Sequence, residues 1–130
     1  MKDPSSSKRM AILIVEDDPH SQLYFTKLLS GMYDTAAADS AAEAWELLHE
    51  RSFDLVLMDI SLKGDEDGLS LTRRLRAEEA FSRLPIVAVT AYAFPDDRKR
   101  AIEAGCTDYL PKPVSSNDLH RKIAELILPK

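Results

Sequence analysis

Short apolar runs alternate with amphipathic stretches from Met10 almost to the C-terminus. The runs are Ala11–Val15 (AILIV), Thr35–Ala38 (TAAA), Leu55–Met58 (LVLM), Ile86–Val89 (IVAV) and the pair Tyr109–Leu110. Three of them are apolar at every position, the pattern of strands covered on both faces in a parallel sheet. The alanine-rich run is weak as a strand by propensity, and only its place in the alternation argues for it. Between the runs, apolar residues at helical spacing predict helices over about Pro19–Leu29, Ala41–Glu50, Leu69–Glu79, Pro95–Gly105 and Asn117–Leu128. Tyr24, Phe25, Leu28 and Leu29 share one face of the first helix. Ala44, Trp45, Leu47 and Leu48 share one face of the second, which makes Trp45 a packing residue. Leu119, Ile123, Leu126 and Ile127 turn inward on the last. Ser40, with Glu43 three residues on, has the form of a capping box, and Asp18 is placed to cap the first helix ahead of Pro19.

Five βα units in series imply right-handed crossovers and an α/β fold, a single doubly wound five-stranded parallel sheet. Met1–Arg9, with Pro4 and the serines Ser5 to Ser7, reads as a disordered lead-in, so that 10–130 form the domain. A chain of 130 residues has no room for a second domain. The initial Met and the lack of a linker after the last helix make a stand-alone domain without an output module the expectation.

Charge and composition narrow the partners. The net charge is −5 and the one dense basic cluster, Arg98, Lys99 and Arg100, reads as a solvated helix face, so direct nucleic-acid binding is not expected. Cys106 is the single cysteine, which excludes an internal disulfide and a cysteine metal cage; it reads as a small buried residue. No apolar run approaches roughly 18 residues and no signal-peptide core is present, so the expected location is cytoplasmic, with no membrane partner. His20, His49 and His120 lie on separate helices with no shared spacing, and none is assigned to a metal or to catalysis.

In an open parallel sheet, ligands bind beyond the carboxyl ends of the strands. The residues that follow the apolar runs are therefore the ones that carry chemistry. After the first come Glu16, Asp17 and Asp18; after the third, Asp59; after the fourth, Thr90; after the fifth, Lys112. Clustered carboxylates repel one another unless a proton or a metal relieves them. A hard divalent cation with oxygen ligands does so, and Mg²⁺ suits a site with few protein ligands. With a lysine and a threonine hydroxyl opposite, the set is a phosphoryl-binding site, where catalysis is mostly positioning and charge neutralisation.

The segments ILIVEDD, DLVLMDISL, Asp67–Gly68, PIVAVTAYA, AGCTDYLPKPV and the final amphipathic helix resemble the receiver domains of two-component response regulators, single-domain receivers among them, over nearly all of Met10–Leu128. The resemblance implies a flavodoxin-like (βα)5 fold with strand order 2-1-3-4-5. It makes Asp59 the phosphoacceptor and Asp17 and Asp59 direct Mg²⁺ ligands, with the Ser61 backbone carbonyl as a third and Glu16 acting through a metal-bound water. Thr90 and Lys112 would hold the phosphoryl oxygens, Lys112–Pro113 would be cis, and Tyr109 would be the switch aromatic that follows Thr90. The implied donor is a histidine kinase or a histidine phosphotransfer protein. A downstream protein would meet the face built by the fourth helix, fifth strand and fifth helix, where Phe94 and Tyr109 lie, and a homodimer stays open.

Two departures stand out. Glu16 replaces the commoner Asp, and the loop ISLKGDEDG is one residue longer than the common form, with Lys63 where Pro often sits; its acids Asp65, Glu66 and Asp67 read as solvated. A Mg²⁺-dependent phosphohydrolase on a similar sheet would need a second acid two residues after the nucleophile, where this chain has Ser61. A receiver-like scaffold that is never phosphorylated would have no need of the matching acids, Thr90 and Lys112. The expected chemistry is the domain's own phosphorylation and slow dephosphorylation, not turnover as an enzyme.

Overall fold

The computed structural model describes residues 9–91 and 95–127. The elements run β1 (Ala11–Val15), α1 (Pro19–Leu29), β2 (Asp34–Ala38), α2 (Ala41–Glu50), β3 (Leu55–Asp59), α3 (Gly68–Arg76), β4 (Ile86–Thr90), α4 (Pro95–Ala104), β5 (Asp108–Pro111) and α5 (Ser116–Ile127). The five strands are parallel in the order β2-β1-β3-β4-β5. The lead-in proposed for Met1–Arg9 falls, but for Arg9, outside the described residues, as does Phe94.

Alternate residues of each strand feed two cores, one on each face of the sheet. Leu13, Val15, Val56, Met58, Ile86 and Ala88 pack with Ala44 and Leu48 of α2, Leu71 and Leu75 of α3, and Ala101 and Ala104 of α4. Ile12, Ile14, Leu55, Leu57, Val87 and Val89 pack with Phe25 and Leu29 of α1 and Leu119 and Ile123 of α5. Burying a Leu, Ile, Val or Met side chain of this kind contributes about 1.5–3 kcal/mol. Both faces are thus covered, which is why β1, β3 and β4 carry no polar residue before their last positions.

Helix starts follow local chemistry. The Asp18 side chain accepts from Ser21 N–H at 3.0 Å with Pro19 in the first turn, and Ser40 accepts from Glu43 N–H at 3.1 Å. The return bond of the capping box shifts by one residue, since Glu43 accepts from Asp39 N–H at 2.8 Å and not from Ser40. At the other end of α4, Gly105 has φ 114° and Cys106 N–H reaches back to the Ala101 carbonyl at 3.0 Å, a closure that favours glycine.

Two expectations need correction. The third helix ends at Arg76, short of Glu79, and a 3-10 turn follows over Glu79–Phe81. The Arg76 guanidinium binds the Phe81 carbonyl at 2.6 Å and the Gly105 carbonyl at 2.8 Å, which holds the chain in this turn. Tyr24 is 44% exposed and does not join Phe25 and Leu29 in the core; its hydroxyl instead donates to the Val114 carbonyl at 2.6 Å. Cys106 is buried, as read from sequence.

Trp45 packs beside the core with the Arg74 guanidinium 4.1 Å from its ring centroid and the His49 ring tilted against it at 4.3 Å between centroids. His49 Nδ1 faces the Trp45 carbonyl at 2.8 Å, and Nε2 faces the two Glu78 oxygens at 3.0 and 3.2 Å. Acceptors on both ring nitrogens favour the imidazolium, so the Trp45 carbonyl, then Glu78, raise His49 above its ordinary 6.5, against desolvation and the like charge of Arg74. The stability this contact adds is fully present below pH 6.5 and is lost as pH rises through the raised value. NMR titration should give a His49 midpoint above 6.5 that falls in Glu78→Gln; a wild-type midpoint at or below the ordinary value would contradict the geometry.

Candidate functional site

β1 and β3 are neighbours, with Val15 opposite Met58, so their carboxyl ends bring Glu16, Asp17 and Asp59 together. One carboxylate oxygen from each lies within 4.8 Å of the other two, the only such group of potential ligands among the described residues. Asp59 and Thr90 are themselves the last residues of β3 and β4, one position earlier than the apolar runs suggested, and both are buried. Lys112 follows β5, and its N–H donates to the Thr90 carbonyl at 2.7 Å. The Lys112–Pro113 peptide is cis.

Glu16 is the buried centre of the cluster, 2% exposed. Lys112 Nζ donates to Oε1 at 2.8 Å and Asp18 N–H donates to Oε2 at 3.1 Å. Burial still dominates and pushes the Glu16 carboxyl from 4.5 up to about 7; Lys112 opposes this and the neighbouring Asp59 adds to it. The side chain read as acting through a metal-bound water is thus also the hydrogen-bonded partner of Lys112. Asp59 Oδ1 accepts from Ser61 N–H at 2.9 Å. Asp17 Oδ2 accepts from Lys63 N–H at 3.0 Å. Asp18, by contrast, is exposed and belongs to the helix cap, and the Ser21 amide holds its carboxyl below the usual range.

Three carboxylates converging beside a lysine favour a small hard cation, which would relieve their repulsion and leave Lys112 able to face an anion. The donor set of Glu16, Asp17 and Asp59 therefore fits a small hard cation such as Mg²⁺. Thr90 and Tyr109 lie on adjacent strands: Tyr109 is opposite Ala88, two residues before Thr90, so both point to the same face of the sheet. Tyr109 is half-buried against the core there, and burial, with Asp97 nearby, raises its hydroxyl pKa.

Sequence reasoning missed the work of the loop after β3. Glu66 is not solvated: it binds Arg74 at 2.6 Å and the Ser70 hydroxyl at 3.0 Å. Asp67 caps α3 by accepting from Ser70 N–H at 2.8 Å, a role that an acid before Gly68 and three residues ahead of Ser70 could have signalled. Gly68 has no room for a side chain, since a Cβ would lie 2.4 Å from the Asp59 carbonyl oxygen. The histidines stay apart from the site's ligand cluster: His20 is exposed beside Asp18, 4.0 Å away, and His49 belongs to the α2 seam.

An acidic cluster at the carboxyl ends of a 2-1-3-4-5 parallel sheet, bonded to a lysine and with a threonine closing β4 at the same edge, defines the receiver class of signalling domain. The family model of the response regulator receiver domain matches residues 12–124, and the chain belongs to that family. It is 37% identical over 106 residues to the polar-differentiation response regulator DivK of Brucella ovis, covering 81% of this chain and 85% of DivK. It is 36% identical over 129 residues to the sensor protein GacS of Pseudomonas syringae, covering 96% of this chain but only 14% of the length of GacS. The receiver domain of the sensor histidine kinase PA1611 of Pseudomonas aeruginosa, solved with a magnesium ion coordinated in its active-site cleft, superposes with a TM-score of 0.84 at 35% identity, covering 92% of this chain and 98% of that one. Among the described residues no helix is long and apolar enough to cross a membrane.

Proposed function

We propose that this receiver domain accepts a phosphoryl group on Asp59 in a Mg²⁺-dependent reaction and changes its partner-binding face in response. The observation that carries this reading is the convergence of Glu16, Asp17 and Asp59 within 4.8 Å, with Lys112 bonded into the same cluster. A carboxylate oxygen of Asp59 attacks phosphorus, the bond from phosphorus to the donor's imidazole nitrogen breaks, and an acyl phosphate forms. Bound Mg²⁺ would supply positive charge against the phosphoryl oxygens. Glu16, Asp17, Asp59 and the Ser61 carbonyl would hold it; Thr90 and Lys112 would contact the transferred group, Lys112 exchanging Glu16 for it.

The donor class is a histidine kinase or a histidine phosphotransfer protein, and on the strength of that class we assign the cytoplasm as the compartment. No acid stands at Ser61 to serve as a general acid, so the chemistry is confined to the domain's own carboxylate and is not turnover of free substrates. Incubation with acetyl phosphate and Mg²⁺, read by intact mass, tests the reading: one added phosphoryl group supports it, and none under any Mg²⁺ concentration refutes it.

The output face is α4, β5 and α5. A ligand shifts a conformational equilibrium only by its differential affinity for the two states. Moving from 1:99 to 99:1 needs about 5.5 kcal/mol, which a few hydrogen bonds to charged groups at about 1.5–3 kcal/mol each supply. Thr90 and Lys112 would make them, and Tyr109 shares the face of the sheet with Thr90. Thr90→Ala should therefore accept beryllofluoride, a phosphoryl mimic, while losing the amide shifts near Tyr109 that wild type shows. Equal shifts in both proteins would sever Thr90 from the response.

A further inference from the structure

Each carboxylate of the triad rests on a backbone amide. For Glu16 and Asp59 the donor lies two residues along the chain, Asp18 N–H at 3.1 Å and Ser61 N–H at 2.9 Å. Asp17 is held differently. Its donor is Lys63 N–H, 3.0 Å from Oδ2 and 46 residues away, in the loop between β3 and α3. A proline at this position would have no N–H to offer.

The loop that presents this amide is secured on its far side. Gly64 turns with φ 102°, Glu66 is bonded to Arg74 and Ser70, and Asp67 caps α3. Gly68 then passes so close to the Asp59 carbonyl that no Cβ fits. The Lys63 amide is thus delivered to Asp17 by a loop fixed to α3 and to the end of β3. A carboxylate has two oxygens, so one can accept the amide while the other faces a cation. Hydrogen bonds of this kind fix the orientation of metal ligands, and their loss commonly lowers metal affinity by 10–100-fold.

We propose that the backbone amide of Lys63 is a positioning group for the Mg²⁺ site, holding Asp17 oriented toward Glu16 and Asp59 and tying the β3–α3 loop to metal binding. The inference rests on the reading of these three acids as a Mg²⁺ site. It assigns the role to the N–H and not to the exposed side chain.

Replacing Lys63 by its α-hydroxy analogue converts the amide to an ester, which deletes the donor and keeps the side chain. Lys63→Ala keeps the donor and deletes the side chain. Calorimetric titration with MgCl₂ should show the ester variant binding about tenfold or more weaker than wild type, with Lys63→Ala close to wild type. Equal or tighter binding by the ester variant, or an equal loss in both variants, overturns the proposal. Hydrogen exchange on the wild-type protein needs no variant: the Lys63 amide should be protected both without and with Mg²⁺. Exchange at the rate of a free loop amide in both states overturns it as well. A wild-type protein that binds no Mg²⁺ would bring down the metal reading itself, an outcome distinct from an ester variant that merely matches a binding-competent wild type.

Discussion

Asp59→Asn should stay folded and gain no phosphoryl mass from acetyl phosphate and Mg²⁺ under conditions that convert the wild type. The amide is nearly isosteric, so its Oδ1 can keep the hydrogen bond from Ser61 N–H. It is no longer an anionic oxygen nucleophile, so the bond to phosphorus cannot form at this position. The substitution also removes one of the negative charges that face Glu16, and Asp59 is among the groups that raise the Glu16 carboxyl. The metal-free variant should accordingly melt no lower than wild type, and its Glu16 should ionise more readily. Intact mass and thermal melting read both effects. A variant that gains a phosphoryl group at the wild-type rate would place the acceptor elsewhere, and one that is grossly unfolded would leave the mass result without force, which the melting curve detects.

The largest stability effect is expected at Gly68. A Cβ there would sit 2.4 Å from the Asp59 carbonyl oxygen, 2.9 Å from Ile60 Cα and 3.0 Å from Met58 Cγ. The first two are backbone atoms, so no side-chain rotation relieves the overlap; α3 or the end of β3 has to move. Overpacking of this kind costs typically 1–3 kcal/mol and occasionally more, and Gly68→Ala should reach about 3 kcal/mol. The damage is aimed at the site, since the atoms in the way belong to the strand end that carries Asp59. Phosphorylation by acetyl phosphate should slow along with the loss of stability. Gly31→Ala is the matched control: nothing lies within 4 Å of its added carbon and its φ is not positive, so its effect should stay within about 0.5 kcal/mol. Denaturant unfolding of the two variants checks the contrast, and equal stabilities would show that α3 can back away without penalty.

The fold was legible because both faces of the sheet are covered. That requirement writes strands as unbroken apolar runs and leaves the first polar residue at the end of each, which is where Asp59 and Thr90 stand. The ligand cluster was legible for the same reason, since Glu16, Asp17 and Lys112 follow their strands directly. What sequence could not show were contacts that depend on distant chain meeting in space. Arg76 stops α3 by binding carbonyls of Phe81 and Gly105, and helical periodicity through Glu79 gives no sign of it. Tyr24 has the spacing of an inward residue but spends its hydroxyl on Val114, 90 residues away. The Lys63–Asp17 bond uses a backbone N–H, which every residue but proline carries, so the side chain at position 63 could not announce it. Sequence placed Lys112 opposite the acids, but not that Glu16, among the three, is the one it pairs with.

The alanine run that made β2 the hardest strand to read has a consequence for how this protein meets copies of itself. β2 and β5 form the two margins of the sheet, where unpaired backbone groups could template an added strand from another chain. β2 is five residues long, opens on exposed Asp34 and presents mostly methyl groups, too little apolar surface to hold a foreign strand. β5 is four residues long and closes on Pro111, which has no N–H to extend a ladder. Both margins are therefore poor seeds for cross-β aggregation.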